Sequence, residues 1–295
     1  MFFTLLERAL SLALANMGTL FRTGWAYILV LAAINLAIGA ALFGGNGFST
    51  VSYMTEPVAT PDEGGLRLLA VMANVLVGFS IAIAYVRRIL IDAHDLPLVV
   101  SRRTFTVIFN QIVLAIIGIL ALIPLFFLSG IIALFTGGLG LLLLLAAPFI
   151  SLMVVQKFSV ILPAAAVDDP LTLRESWRAT RGLGWPMAFA ALVMSILTGF
   201  LIGIWYLVLL GAGPLTAGEP AFEQIRSALF PMGAMLLCVW SFASLHATFY
   251  GLIRERFAAR LGLGHEVYEM VEHSREQTRS KAARAIKTVR NLKRS

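Results

Sequence analysis

The sequence predicts an all-α fold, a polytopic membrane protein with six transmembrane helices in three hairpins, each preceded by a cytoplasmic amphipathic helix. Three observations predict it. Of 295 residues, 59% are hydrophobic and only 13% charged, with a mean hydropathy of +0.87, outside the composition of a soluble domain. Apolar runs of the roughly 20 residues that a helix needs to cross hydrocarbon recur along the chain. Basic residues lie almost entirely on one side of those runs.

The runs fall at 25–44, 68–86, 107–128, 139–160, 187–210 and 228–250. Of the 23 basic residues only Arg67 and Arg226 fall on the far side, beside Glu56, Asp62, Glu63, Glu219 and Glu223. The positive-inside rule therefore predicts that both termini are cytoplasmic. Trp25, Tyr27, Tyr85, Trp185 and Tyr250 are expected at the cytoplasmic interface, Trp205 and Tyr206 at the outer one, and Trp240 packed inside. A signal peptide cleaved near Gly39-Ala40-Ala41 is the competing reading of the first run. The long n-region that would precede it, with Glu7 inside, disfavours it.

Each hairpin has a lead-in segment on the basic side. The first opens with Thr4-Leu5-Leu6-Glu7, a capping-box pattern that predicts a helix start at Thr4. The second, about Pro97 to Thr104, carries Arg102-Arg103. The third runs from Asp169-Pro170-Leu171 to Arg181-Gly182, and reads as an acidic cap, Pro at the first helical position, Arg in the last turn and Gly just beyond. At 100° per residue Arg174, Arg178 and Arg181 form one stripe, with Leu173, Trp177 and Thr180 together beside it. The longest outer loop, about 45–66, is rich in Gly, Thr and Pro and reads as irregular. An offset of 160 residues superposes Gly24-Trp25 on Gly184-Trp185, Asn35 on Ser195 and Gly39 on Gly199, a weak repeat that would make the units parallel.

Residues 1–257 thus form the transmembrane domain, and 258–295 a basic cytoplasmic tail separated by Gly262 and Gly264. Inside the fifth run Ala191, Ser195, Gly199 and Gly203 recur every four residues, a small-residue ridge expected to be a helix-packing seam, against a partner helix, a membrane protein or a second copy. Pro124, Pro148 and Pro231 lie within runs, where Pro removes a backbone donor and bends the helix. The intramembrane polar residues are Asn35, Asn74, Asn110, Gln111, Lys157 and His246. Asn35 and Asn74 sit at matching depth and are expected to pair across the first hairpin, whereas Lys157 and His246 lie near cytoplasmic ends, where snorkelling suffices. No Asp or Glu lies deep in a run, which argues against a proton-coupled carrier.

Catalytic constellations are missing. Cys238 is the one cysteine, so there is no disulfide and no CxxC site. His265-Glu266-Val267-Tyr268-Glu269 lacks the second histidine of HExxH; His265, Glu269, Glu272 and His273 read as a solvated charged face. Asp92-Ala93-His94-Asp95 reads as helix capping. No GxSxG, GxxxxGK[ST] or GxGxxG occurs, and no cofactor, metal or catalytic residue is assigned. The expected partner is membrane phospholipid: Arg102, Arg103, Arg174, Arg178 and Arg181 can meet anionic headgroups, as can Lys281, Arg284 and Lys287 in the tail. Nucleic acid is disfavoured, because no aromatic residues stand between the tail's basic ones to stack on bases.

The stretch from Leu162-Pro163 to Trp185 carries an apolar-Pro end of a span, acids at Asp168-Asp169, then Leu173, Ser176-Trp177, Thr180 and Gly182. It resembles a segment of the bacterial six-helix inner-membrane domains found alone or fused to glycerophosphodiester phosphodiesterase. This chain has two Asp where that pattern has one acid. The resemblance implies the fold, a bacterial inner-membrane location and an association with lipid. No phosphodiesterase domain lies within these residues, so none of its catalytic positions carries over. The expected function is a non-enzymatic membrane protein organising lipid or partner proteins at the cytoplasmic face; the alternative is a transporter, or a subunit of one, for a lipid or small solute.

Overall fold

A computed structural model describes residues 2–43, 61–93, 101–136, 139–211 and 220–260. In chain order the helices are α1 (Phe2–Ala15), α2 (Met17–Phe43), α3 (Pro61–Ile91), α4 (Arg102–Thr136), α5 (Leu139–Phe158), α6 (Ile161–Ala166), α7 (Leu173–Ala179), α8 (Gly184–Gly211) and α9 (Pro220–Arg260). No strand occurs among the described residues. Six helical stretches are long and apolar enough to cross a membrane: 17–37, 71–91, 102–136, 142–166, 184–211 and 228–256. The chain is an integral, multi-pass membrane protein. It divides into two compact units, Met1–Tyr250 and Gly251–Ser295.

Except for α5, which stops at Phe158, the spanning helices are longer than the apolar runs, because a backbone in hydrocarbon must bond within its own segment and extending the helix past the run satisfies the end groups too. α9, with 41 residues, is the longest helix, and α4, with 35, is the longest of the candidate spans. α4 shows the excess. At about 1.5 Å per residue it measures roughly 52 Å against a hydrocarbon core of about 30 Å. Arg102 and Arg103 are its first two residues, so this basic pair opens a spanning helix rather than forming a separate one. Residues 94–100, with most of the expected second lead-in, lie outside the described residues. Two further expectations shift. α1 starts at Phe2, which puts Thr4 inside the helix instead of at its cap. α7 starts at Leu173, three residues after Pro170.

One apolar core joins the first unit. Leu31, Ile81, Tyr85, Leu114 and Ile161, from α2, α3, α4 and α6, are fully or almost fully buried in it, and Trp240 of α9 packs there too. Lipid is as apolar as this core, so close fit and polar pairing decide which helices meet. Trp240 Nε1 donates to the Ala13 carbonyl at 2.7 Å, tying α9 to α1. Trp205 Nε1 donates to the Leu229 carbonyl at 3.2 Å, and Gly233 lies so near that ring that a Cβ there would stand 2.3 Å from Nε1. Glycine is what lets α8 and α9 approach at that level.

The interfacial tyrosines are a correction. Tyr27, Tyr85 and Tyr250 are buried inside the unit, and only Trp25 and Trp185 of that expected set are exposed. Each hydroxyl near hydrocarbon needs a partner, and Tyr85 finds Ser244 at 3.0 Å while Tyr250 donates to Asp169 at 2.6 Å. The positions that the 160-residue offset superposes have partly similar surroundings. Gly24 packs on Ile81 and Gly184 on Met153 and Lys157, with an exposed Trp following each, but Asn35 is buried and Ser195 exposed.

Candidate functional site

The conspicuous polar construction lies between α6 and α8, in the stretch that carries the resemblance. α6 ends in a Schellman turn: Asp168 takes the left-handed conformation at φ 61°, and the Asp169 N–H reaches back to the Ala164 carbonyl at 3.0 Å. Glycine usually occupies that position. Here an aspartate does, and its carboxylate explains why. Arg87 of α3 donates through Nη1 to Asp168 Oδ2 at 3.0 Å and to the free Ala166 carbonyl at 2.9 Å, capping the end of α6. Arg103 of α4 donates through Nε to Asp168 Oδ1 at 2.5 Å. Arg103 foremost, and Arg87 after it, hold the Asp168 carboxyl below the usual range. With Asp169 accepting from Tyr250 of α9, the two adjacent acids join four elements of the first unit. Each acid has its own partners, which is a reason for this chain to carry two.

Neither acid caps α7. That role belongs to Thr172, whose hydroxyl accepts from the Glu175 N–H while Glu175 accepts from the Thr172 N–H at 2.8 Å, a complete capping box. The Thr172 N–H, with its hydroxyl second, holds the Glu175 carboxyl below its ordinary value. Ser176 and Thr180, both fully buried, donate to one carbonyl, that of Lys157 near the end of α5, at 2.8 and 3.1 Å. The same residues therefore fasten α7 to α5. Gly182 follows at φ 80°, a conformation that only glycine adopts freely, and turns the chain into α8.

This mounting decides what α7 shows outward. Arg174, Arg178 and Arg181 are all exposed, on the face away from Ser176, Ala179 and Thr180. Thr180 is thus separated from Leu173 and Trp177, which are exposed, contrary to the grouping expected from the helical wheel. Trp177 stacks on Phe158 with ring centroids 5.2 Å apart, and Lys157 Nζ stands 3.1 Å from the Trp177 ring centroid, a cation–π contact in place of simple snorkelling. Of the other expected lipid contacts, Arg102 is exposed, Arg103 is engaged by Asp168, and Lys281, Arg284 and Lys287 lie outside the described residues, as does the His265 to His273 group.

Deeper in the bundle Asn35 and Asn74 exchange two hydrogen bonds, Nδ2 of each to Oδ1 of the other, at 2.9 and 3.1 Å, the pairing that their matched depth predicts. The small-residue ridge behaves differently. Only Ala191 is buried; Ser195, Gly199 and Gly203 face outward, and a Cβ at either glycine would meet nothing within 4 Å among the described residues. Among the described residues the rest of the ridge packs against no other helix, and α8 turns Met187, Ala190 and Met194 inward instead.

Between α3, α4, α5, α6 and α9 lies a cavity of about 530 Å³. Its lining is mostly apolar, with Gln111, Gln156, Ser159 and His246 among the few polar side chains, and Cys238 also borders it. Gln156 was invisible to sequence reasoning because it sits beside Lys157 at a span end, where a polar residue is unremarkable; only the rotation of α5 turns it inward. Among the described residues no group of three His, Cys, Asp or Glu side chains could hold a metal ion. Comparison with protein-family models, with curated proteins and with solved structures finds no match to this chain.

Proposed function

We propose that the chain is a non-enzymatic protein of a bacterial inner membrane, with both termini cytoplasmic, that holds anionic phospholipid at the cytoplasmic face. One observation carries the reading: α7 and the turn that follows it are clamped by two buried hydroxyls to the Lys157 carbonyl and leave Arg174 and Arg178 of the helix and Arg181 of the turn exposed. A rigid mount matters because an arginine already held in place loses less freedom when it meets a headgroup. Near an anionic surface each basic residue contributes about 1 kcal/mol, so the stripe supplies roughly 3 kcal/mol at low salt. The Lys and Arg bias of the loops supports the orientation, and the resemblance of residues 162–185 to the six-helix domain family supports the setting.

The test is lipid retention. Protein extracted in mild detergent from membranes containing phosphatidylglycerol is delipidated stepwise, and bound lipid is counted by native mass spectrometry. The variant Arg174→Gln, Arg178→Gln, Arg181→Gln is expected to retain less anionic lipid and to lose the salt dependence of retention. Unchanged retention would overturn the proposal, and so would phospholipid hydrolysis abolished by a point mutation. The cavity favours a second reading, a transporter or transporter subunit for a lipid or small solute; solute flux in proteoliposomes holding this protein alone would establish it.

A further inference from the structure

Two polar side chains of the intramembrane cavity have nothing to bond. His246 lies enclosed among protein atoms yet keeps part of its surface accessible, and that surface faces the cavity it lines. Among the described residues neither of its ring nitrogens has a hydrogen-bond partner, and neither is sealed off as the Gln156 side-chain oxygen is. Gln111 lines the same cavity, is exposed, and its amide also has no partner among the described residues. Both residues lie inside spans, where hydrocarbon supplies no water in place of a partner. Reachable groups with unmade hydrogen bonds are what a bound molecule completes.

The two groups stand at different depths. Gly78 packs on Met235 and Tyr85 bonds Ser244, so α3 and α9 run side by side in the same direction, and His246 is level with Arg87. Arg87 and Arg103 share Asp168, which sets the start of α4 near that level. Gln111 follows Arg103 by eight residues, about 12 Å further from the basic end. Phe242, one turn from His246, and Phe79, two turns from Arg87, line the cavity over the same interval. Its volume, about 530 Å³, is within the range of roughly 300–1,000 Å³ of small-molecule pockets. Val75 on α3 and Gln111 on α4 both line it and both are exposed, so it opens toward lipid between these helices. Among the described residues no Asp, Glu, Lys or Arg lines it, so a phosphate or carboxylate would be desolvated there without a counter-charge.

We propose that this cavity binds a lipid-soluble para-quinone, entering from the bilayer between α3 and α4, with one ring carbonyl accepting from His246 and the other from the Gln111 amide. A para-quinone bears two uncharged acceptors on opposite edges of one flat apolar ring, which suits donors held at two depths. The ring also suits the aromatic faces of Phe79 and Phe242. A simple alcohol has one polar atom and serves one depth only. The ester carbonyls of a diacylglycerol sit side by side and share that limit. The site is separate from the arginine stripe and does not depend on it.

Three probes test the assignment. Decylubiquinone carries the two carbonyls on a fully substituted ring, which has no open carbon for the Cys238 thiol to attack; decylbenzene has chain and ring without carbonyls; didecanoylglycerol has ester carbonyls. The full chain in nanodiscs of quinone-free lipid is titrated with each. Bound probe is counted by native mass spectrometry, and the thermal unfolding midpoint is measured in parallel. One quinone per chain is expected, and at about ten times its dissociation constant it should lower the unfolded fraction about tenfold and raise the midpoint. Decylbenzene should bind about thirtyfold more weakly, the loss of two ordinary hydrogen bonds. His246→Phe and Gln111→Leu should each weaken quinone binding about fivefold while leaving decylbenzene binding and retention of phosphatidylglycerol unchanged. A merely structural role would lower both probes together. Should a variant not fold, the comparison of quinone with decylbenzene on the unaltered chain decides alone. Equal affinity for those two probes, no bound quinone, equal losses of both in the variants, or didecanoylglycerol binding as tightly as the quinone would overturn the proposal.

Discussion

Removing the Asp168 carboxylate tests the junction between α6 and α7 at its centre. The ion pair is asymmetric: the Arg87 side chain is 10% exposed and that of Asp168 51%. Breaking a buried pair costs about 3–5 kcal/mol and an exposed one about 0.2–1, so Asp168→Asn, which keeps one acceptor oxygen, should cost about 2 kcal/mol. Backbone conformation then separates the variants. Asn tolerates φ 61° as Asp does, Gly prefers it, and Ala pays roughly 1 kcal/mol or more for the left-handed turn. The expected order of stability is Asp, then Gly and Asn, then Ala, with Ala about 3 kcal/mol below the parent. The pH dependence has a definite sign. Because the two arginines depress the native pKa of Asp168, its stabilisation is present above the ordinary aspartate value of about 3.9 and is lost as pH falls through the lowered native value. Equilibrium unfolding in mixed micelles from pH 7 downward measures both effects, and Asp168→Asn should lack this acid-side loss. An Ala variant as stable as Asn, or an Asn variant with the parent's acid limb, would refute the reasoning.

A double-mutant cycle on Asn35→Leu and Asn74→Leu should show coupling of about 0.6–2 kcal/mol, the range for interhelical hydrogen bonds in membranes; additive losses would mean the reciprocal bonds contribute nothing. Two glycines should respond oppositely. Gly233→Ala drives a methyl into the Trp205 indole and should cost about 1–3 kcal/mol, whereas Gly199→Ala points into open space and should be neutral or slightly stabilising by unfolding measurements on the isolated chain. For orientation, single cysteines at Thr60 or Ala217 in a Cys238→Ala background should label from outside intact cells, while one at Ala283 should not; the reverse pattern would invert the proposed topology.

The motif from Leu162 to Trp185 shows how far reading residues could go. Gly182 as a helix stop is legible because few residues other than glycine serve a left-handed turn, and the structure places it there at φ 80°. The cap was misread. Asp169-Pro170 has the residue types of a helix start, but Thr172 and Glu175 have them too, and Asp168 went to arginines of α3 and α4 that lie 81 and 65 residues away in sequence while Asp169 went to Tyr250 of α9. Local propensity ranks candidate caps; it does not see a competing partner elsewhere in the chain. The tyrosines failed for the same reason. The direction of each ring depends on which neighbour offers a polar group, as Ser244 does for Tyr85 and Asp169 for Tyr250.

The sequence by itself determined the number of spans, their approximate limits, the all-helical class and the matched depth of Asn35 and Asn74, since these follow from apolar length and position along the chain. Only the tertiary structure decided that the α8 ridge faces outward, that Arg103 is bound to Asp168 while Arg174, Arg178 and Arg181 stay exposed, and that Gln156 borders a cavity. Helix rotation is the physical reason. In a span that is apolar all round, as α5 and α8 are, hydrophobicity favours no face over another, and the side that turns inward is chosen by close packing and a few hydrogen bonds between segments distant in sequence.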